Sequence, residues 1–110
     1  MNFLKVFMLL VTLLVTFETR SEEPFLETSI EALQDLLEST ETNSVELVKW
    51  YQSRIKKYDQ KGPKLNSIQH LNRQALSQAK QLDMERESSG ARSLLHGIPI
   101  LVKDNYETVD

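Results

Sequence analysis

Leu94-Leu95-His96-Gly97-Ile98-Pro99-Ile100-Leu101-Val102-Lys103-Asp104-Asn105-Tyr106 is the stretch from which the fold class is read. Ile98 to Val102 is apolar without alternation. A strand that is apolar on both sides belongs in a sheet covered on both faces, which is the condition of an α/β protein. Gly97 and Pro99 read as backbone devices that turn the chain into this strand, and His96 as a hydrogen-bonding side chain beside the turn. Lys103 follows directly, and the two-residue period of a strand puts it on one face with Leu101 and Pro99. Partial burial of Lys103 is therefore expected. An amine drawn into an apolar setting loses the hydration that favours its ammonium form, and the neutral amine is a general base near neutral pH. The competing reading is a strand-end lysine whose stem lies on apolar surface while its head reaches water.

Upstream of this stretch the pattern is helical. Thr28-Ser29-Ile30-Glu31 has capping-box spacing, and Ile30, Leu33, Leu36 and Leu37 then form an apolar face opposite Glu31, Asp35 and Glu38. Asn43-Ser44-Val45-Glu46 offers a second cap, ahead of a stripe of Leu47, Val48, Tyr51, Ile55 and Tyr58. Lys61-Gly62-Pro63 ends that helix. Leu65 to Leu71 reads as a short strand or an extended lead-in. Asn72 is positioned to cap a third helix reaching about Glu87, striped by Ala75, Ala79 and Leu82. Ser88 to Ser93 is a polar loop. Three helices followed by a doubly apolar strand point to α/β layers.

The N-terminal segment reads as a targeting signal. Lys5 precedes Val6 to Phe17, which holds no charged side chain and is too short to span hydrocarbon. Residues 1–21 are thus expected to be a signal peptide, with cleavage near Ser21 and before Glu22, a secreted destination and no stable membrane span. A run with no polar face is not how a surface helix of a small domain is patterned.

Composition excludes several classes. The 13 basic and 16 acidic side chains give a formal charge of -3 with the signs interspersed, so no nucleic-acid surface is expected. Without cysteine, neither a disulfide framework nor a thiolate metal site is possible. His70 and His96 are too far apart in sequence for a local metal motif, so no metal and no cofactor are expected. At 110 residues the chain has room for one small domain at most.

Leu95 to Asn105 resembles the amidase signature family's segment around its catalytic lysine, usually Leu-His-Gly-Ile-Pro-(Val or Ile)-x-(Val or Leu)-Lys-Asp-Asn. The agreement is ungapped over eleven consecutive positions. Asn43 to Val48, Tyr58-Asp59, Leu65 to Ile68, Asn72, Ala75, Ala79 and Leu82-Asp83 are similar to the family's opening helices in order and spacing. The resemblance covers nearly all of Ile30 to Asp110. Tyr106 stands where the family commonly has an aliphatic residue.

The resemblance implies that residues 22–110 are the N-terminal helices and first core strand of an incomplete amidase-signature domain. It also implies that Lys103 is the base of a Ser-Ser-Lys triad acting on a small-molecule amide. Both serines would belong to a Gly/Ser-rich segment that these residues do not include, so the 110-residue chain is expected to be inactive. Ser88-Ser89-Gly90 lies on the wrong side of the lysine to be that segment. Asp104 and Asn105 are expected to be structural. Two alternatives stay open: a non-catalytic secreted binding module or decayed gene product, and the transamidating subunit of a tRNA-dependent amidotransferase. The leader argues against the second, because it lacks the Arg-rich character of an organelle presequence.

Overall fold

A computed structural model describes residues 23–106. Among them three α-helices carry the architecture: α1 (Ile30–Glu38), α2 (Ser44–Arg54) and α3 (Ala75–Ser89). A π-helical turn, Ile55–Gln60, continues α2. The proposed leader, residues 1–21, lies outside the described residues.

The first two helices begin where a short polar side chain satisfies backbone donors that a helix start leaves unpaired. For α1 this is Ser29, whose hydroxyl accepts from the Ala32 N–H at 3.2 Å. The start is one residue later than the Thr28 capping box suggests, because the first helical bond runs from Leu33 N–H to the Ser29 carbonyl at 2.9 Å. Helix α2 begins as its sequence reads, with Asn43 Oδ1 accepting from Glu46 N–H at 2.9 Å. Before α3, Asn72 Oδ1 accepts from Gln74 N–H at 2.7 Å, which makes a turn ahead of the helix and not its cap. Helix α3 runs to Ser89, and Ser88 and Ser89 form its last turn instead of a loop.

The core gathers Phe25, Leu33, Leu37 and Leu47, with Leu36, Trp50 and Ile98 packed against it. Helices α2 and α3 pack on one another, and Ala79 of α3 is buried, as a small residue at a close crossing allows. The two helices are also joined by charge. Asp83 on α3 accepts from the backbone N–H groups of Ser44 (2.7 Å) and Val45 (3.2 Å), so a carboxylate sits on the positive end of the α2 dipole.

The π-helical turn leaves carbonyls that the next segment takes up. Leu65 N–H donates to the Tyr58 carbonyl at 3.3 Å and Asn66 N–H to the Asp59 carbonyl at 3.1 Å. The buried Asp59 side chain accepts from Ser67 N–H (2.6 Å), Ser67 Oγ (2.7 Å) and Ile68 N–H. Leu65 to Leu71 is thereby an irregular lead-in and not a strand. The reversal needs Gly62, whose φ is +50° and where a β-carbon would lie 2.8 Å from the Lys57 carbonyl oxygen.

In one respect the structure departs from the α/β expectation. Among the described residues there is no β-strand, and Ile98 to Val102 is irregular. Ile100 is 65%, Leu101 73% and Val102 52% exposed. A strand exists only through the ladder bonds of a partner, and no described segment lies beside this one to supply them.

Candidate functional site

The site is the Leu94–Tyr106 segment and the helical layer that holds its first half. Three helices converge on the Leu94–Gly97 turn. From α1, Gln34 Nε2 donates to the carbonyls of Leu94 (2.7 Å) and His96 (3.0 Å). From α3, Arg86 Nη2 donates to the same His96 carbonyl at 2.8 Å and to Gln34 Oε1 at 2.7 Å. Helix α2 contributes Ser44, fully buried, against which Gly97 is seated with φ +80°.

His96 completes the arrangement from the turn itself. Its ring is buried, with Nε2 2.9 Å from the Leu82 carbonyl and Nδ1 3.3 Å from the Arg92 N–H. The Arg92 N–H makes Nδ1 an acceptor, so Nε2 carries the proton that it donates to Leu82. The imidazole thus ties the turn to the body of α3, in the hydrogen-bonding role expected from its place beside Gly97. A bond from Ile98 N–H to the Leu95 carbonyl, 3.1 Å, closes the turn.

Beyond Ile98 the chain leaves the helical layer. Lys103 is exposed, and its carbonyl accepts from Tyr106 N–H at 3.0 Å in a turn that includes Asp104 and Asn105. The partial burial expected for Lys103 is not present among the described residues, because the flanking Leu101 and Val102 are themselves uncovered. Ser88 and Ser89, at the exposed end of α3, have hydroxyls 3.3 Å apart; Ser88 also donates to the Glu85 carbonyl at 3.1 Å, which is an ordinary helix-end bond. Ser44 has an unpartnered hydroxyl but is wholly buried, so no substrate reaches it.

Among the described residues no three His, Cys, Asp or Glu side chains are grouped so that they could hold a metal ion. No helix among them is long and apolar enough to cross a membrane. Sequence reasoning singles out Lys103, His96, Gly97 and Pro99 but gives no role to Gln34, Asp83 or Arg86. One signal exists for Gln34. It lies four residues after Ile30, between Leu33 and Leu37, so a polar side chain interrupts the stripe that faces the core.

Comparison with known proteins returns one family from several directions. The family model described as Amidase matches residues 46–110. A protein of Schizosaccharomyces pombe named as an amidase is 39% identical over 84 residues, covering 76% of this chain and 14% of that protein. A glutamyl-tRNA(Gln) amidotransferase subunit of Thermoanaerobacter pseudethanolicus is 35% identical over 81 residues, covering 73% of this chain and 16% of that protein. Among solved structures, the native peptide amidase of Stenotrophomonas maltophilia superposes with a TM-score of 0.75 at 39% identity, over 77% of this chain and 18% of that one. The chain spans between 14% and 18% of the length of these relatives.

Proposed function

Because this chain belongs to the amidase family, we propose that it is the N-terminal part of a secreted amide hydrolase in which Lys103 is the general base of a Ser-Ser-Lys mechanism. The observation that carries the proposal is the position of Lys103 in the matched region, six residues after a turn that all three helices hold. A base has to be fixed relative to its partner, and a pinned lead-in is how a fold supplies that.

In this reading the Lys103 amine takes a proton from a bridging serine, which in turn deprotonates a nucleophilic serine as it attacks the amide carbonyl. Backbone donors stabilise the oxyanion. Both serines come from residues beyond Asp110, and the bare apolar run Ile100 to Val102 pairs into a sheet with those residues. Covered in that way, Lys103 loses the water that surrounds it here. The substrate is a small-molecule amide, and no nucleic acid is bound. The uncharged run Val6 to Phe17 supports secretion.

The match to a glutamyl-tRNA(Gln) amidotransferase supports a second reading, in which the chain is part of an amidotransferase acting on glutamyl-tRNA. The experiment is an assay of short aliphatic and aryl amides with the 110-residue chain and with the full-length protein, that is, the chain with its proposed continuation. Turnover is expected from the full-length protein alone. Robust turnover by the 110-residue chain would refute the absent-nucleophile argument. Activity only on glutamyl-tRNA would favour the second reading.

A further inference from the structure

We propose that Arg86 and Gln34 are positioning residues, which clamp the Leu94 and His96 carbonyls and so set where the Ile98–Lys103 segment leaves the helical layer. The catalytic half of this inference rests on the reading of Lys103 given above; the structural half does not.

Four hydrogen bonds carry it. Gln34 Nε2 reaches both carbonyls, and Arg86 Nη2 reaches the His96 carbonyl and the Gln34 Oε1. The bonds form a closed set: the amide of Gln34 donates to the turn, and the guanidinium holds the amide's own oxygen, so neither end of Gln34 can rotate away. The His96 carbonyl receives two donors, one of them charged, which is the stronger kind of bond. Its position is consequently restrained from two helices at once. Gly97 follows immediately and is fixed from the other side by Ser44.

The arrangement is not one that packing alone would select. Gln34 is 5% exposed and occupies a core-facing place on α1, where leucine would bury more apolar surface at no cost in helix propensity. Arg86 is held with Nε and Nη1 buried and without a hydrogen-bond partner among the described residues. Groups retained in such a setting are those whose remaining bonds matter, and here every remaining bond ends on Gln34 or on the turn.

The clamp is tested in the full-length protein with Arg86→Met, Arg86→Lys, Gln34→Leu and Lys103→Ala, each measured by steady-state kinetics on a small amide and by amide hydrogen exchange. With Arg86→Met, kcat should fall about ten- to a hundredfold while KM moves less than about threefold, because a displaced base affects the reacting centre more than ground-state binding. Arg86→Lys should recover part of the loss, since an ammonium can still reach the His96 carbonyl but lacks the planar fork. Exchange at the His96 and Ile98 amides should quicken about tenfold or more, with the Ser44 and Val45 amides unchanged.

A kcat within about twofold of the parent for both Arg86→Met and Gln34→Leu would overturn the positioning role. Exchange quickened equally across α2 and the turn would overturn the clamp, since it would mark Arg86 as a general stabiliser. Should Arg86→Met not fold, Gln34→Leu decides by the same criteria. Undiminished turnover by Lys103→Ala would refute the reading of Lys103, and the exchange pattern alone would then judge the clamp.

Discussion

Gly97 stands so close to Ser44 that a β-carbon added to it would lie 2.1 Å from the Ser44 hydroxyl oxygen and 3.3 Å from its β-carbon. The contact joins the start of α2 to the turn ahead of Lys103, two places 53 residues apart in the chain.

Gly97→Ala should therefore be among the most damaging single-methyl changes in the chain. It adds a left-handed backbone cost to a collision with a fully buried side chain, in all about 2 to 4 kcal/mol. Gly90 supplies the comparison. Its φ is +77° and its ψ 179°, a region nearly confined to glycine, yet nothing lies within 4 Å of its added β-carbon, so Gly90→Ala bears the backbone cost alone, about 1 to 3 kcal/mol, with no collision added. Urea unfolding of the full-length protein separates the two variants. Equal midpoints would show that the approach to Ser44 is relieved by movement.

Asp59 gives a pH dependence with a definite sign. The Ser67 hydroxyl, against the opposing effect of burial and with help from the Ser67 and Ile68 N–H groups, holds the Asp59 carboxyl below its ordinary value. A carboxyl whose folded value lies below its unfolded one contributes stability above the unfolded value, about 4, and the contribution disappears as pH falls through the folded value. Asp59→Asn should accordingly flatten the loss of stability between about pH 5 and pH 2. Parallel acid-unfolding curves for the two proteins would show that the Asp59–Ser67 clasp is not linked to folding.

Replacement of Lys103 by alanine in the full-length protein should lower kcat by about 10² to 10⁴, the range of general-base assistance, with a much smaller change in KM. Lys57→Ala, on the exposed side of the π-helical turn, should leave both parameters within about twofold, since it is a surface substitution outside the Leu94–Tyr106 segment. Comparable losses in the two variants would point to a general dependence on basic charge.

Secreted material should begin near Glu22 on N-terminal sequencing, given the short uncharged run from Val6 to Phe17. Intact Met1 in a carbonate-resistant membrane fraction would indicate an anchor instead.

The helices are legible in the sequence because their signals are local. Asn43 caps α2 as its spacing implies, and Leu33, Leu37, Leu47 and Ala79 are buried as their periodicity requires. Thr28 and Ser29 are both competent caps, so composition does not separate them, and the choice falls to the one residue whose carbonyl starts the helix. The Ile98–Val102 strand illustrates a different limit: alternation, or its absence, says that a segment is suited to burial, while the pairing itself depends on residues far away. The clamp is only half legible in the sequence for a related reason. Gln34 is marked by its place inside the apolar stripe of α1, but Arg86, 52 residues away, has no spacing that marks it or pairs it with Gln34. The resemblance around Lys103 locates the region of interest, whereas the bonds that hold its approach emerge only once the three helices are packed.

Trp50 is the only tryptophan in the chain, and its surroundings make it an optical probe of the N-terminal strap. Phe25 meets it edge-on at 5.5 Å, Tyr51 at 4.8 Å, and the Arg54 guanidinium lies 5.0 Å from its centroid while pairing with Glu23. If Glu23 and Phe25 lift away, the indole loses an aromatic neighbour and gains water, and its emission moves to longer wavelength. Fluorescence from a single ring can therefore time the seating of the segment next to the proposed cleavage point, without any label being attached to the protein.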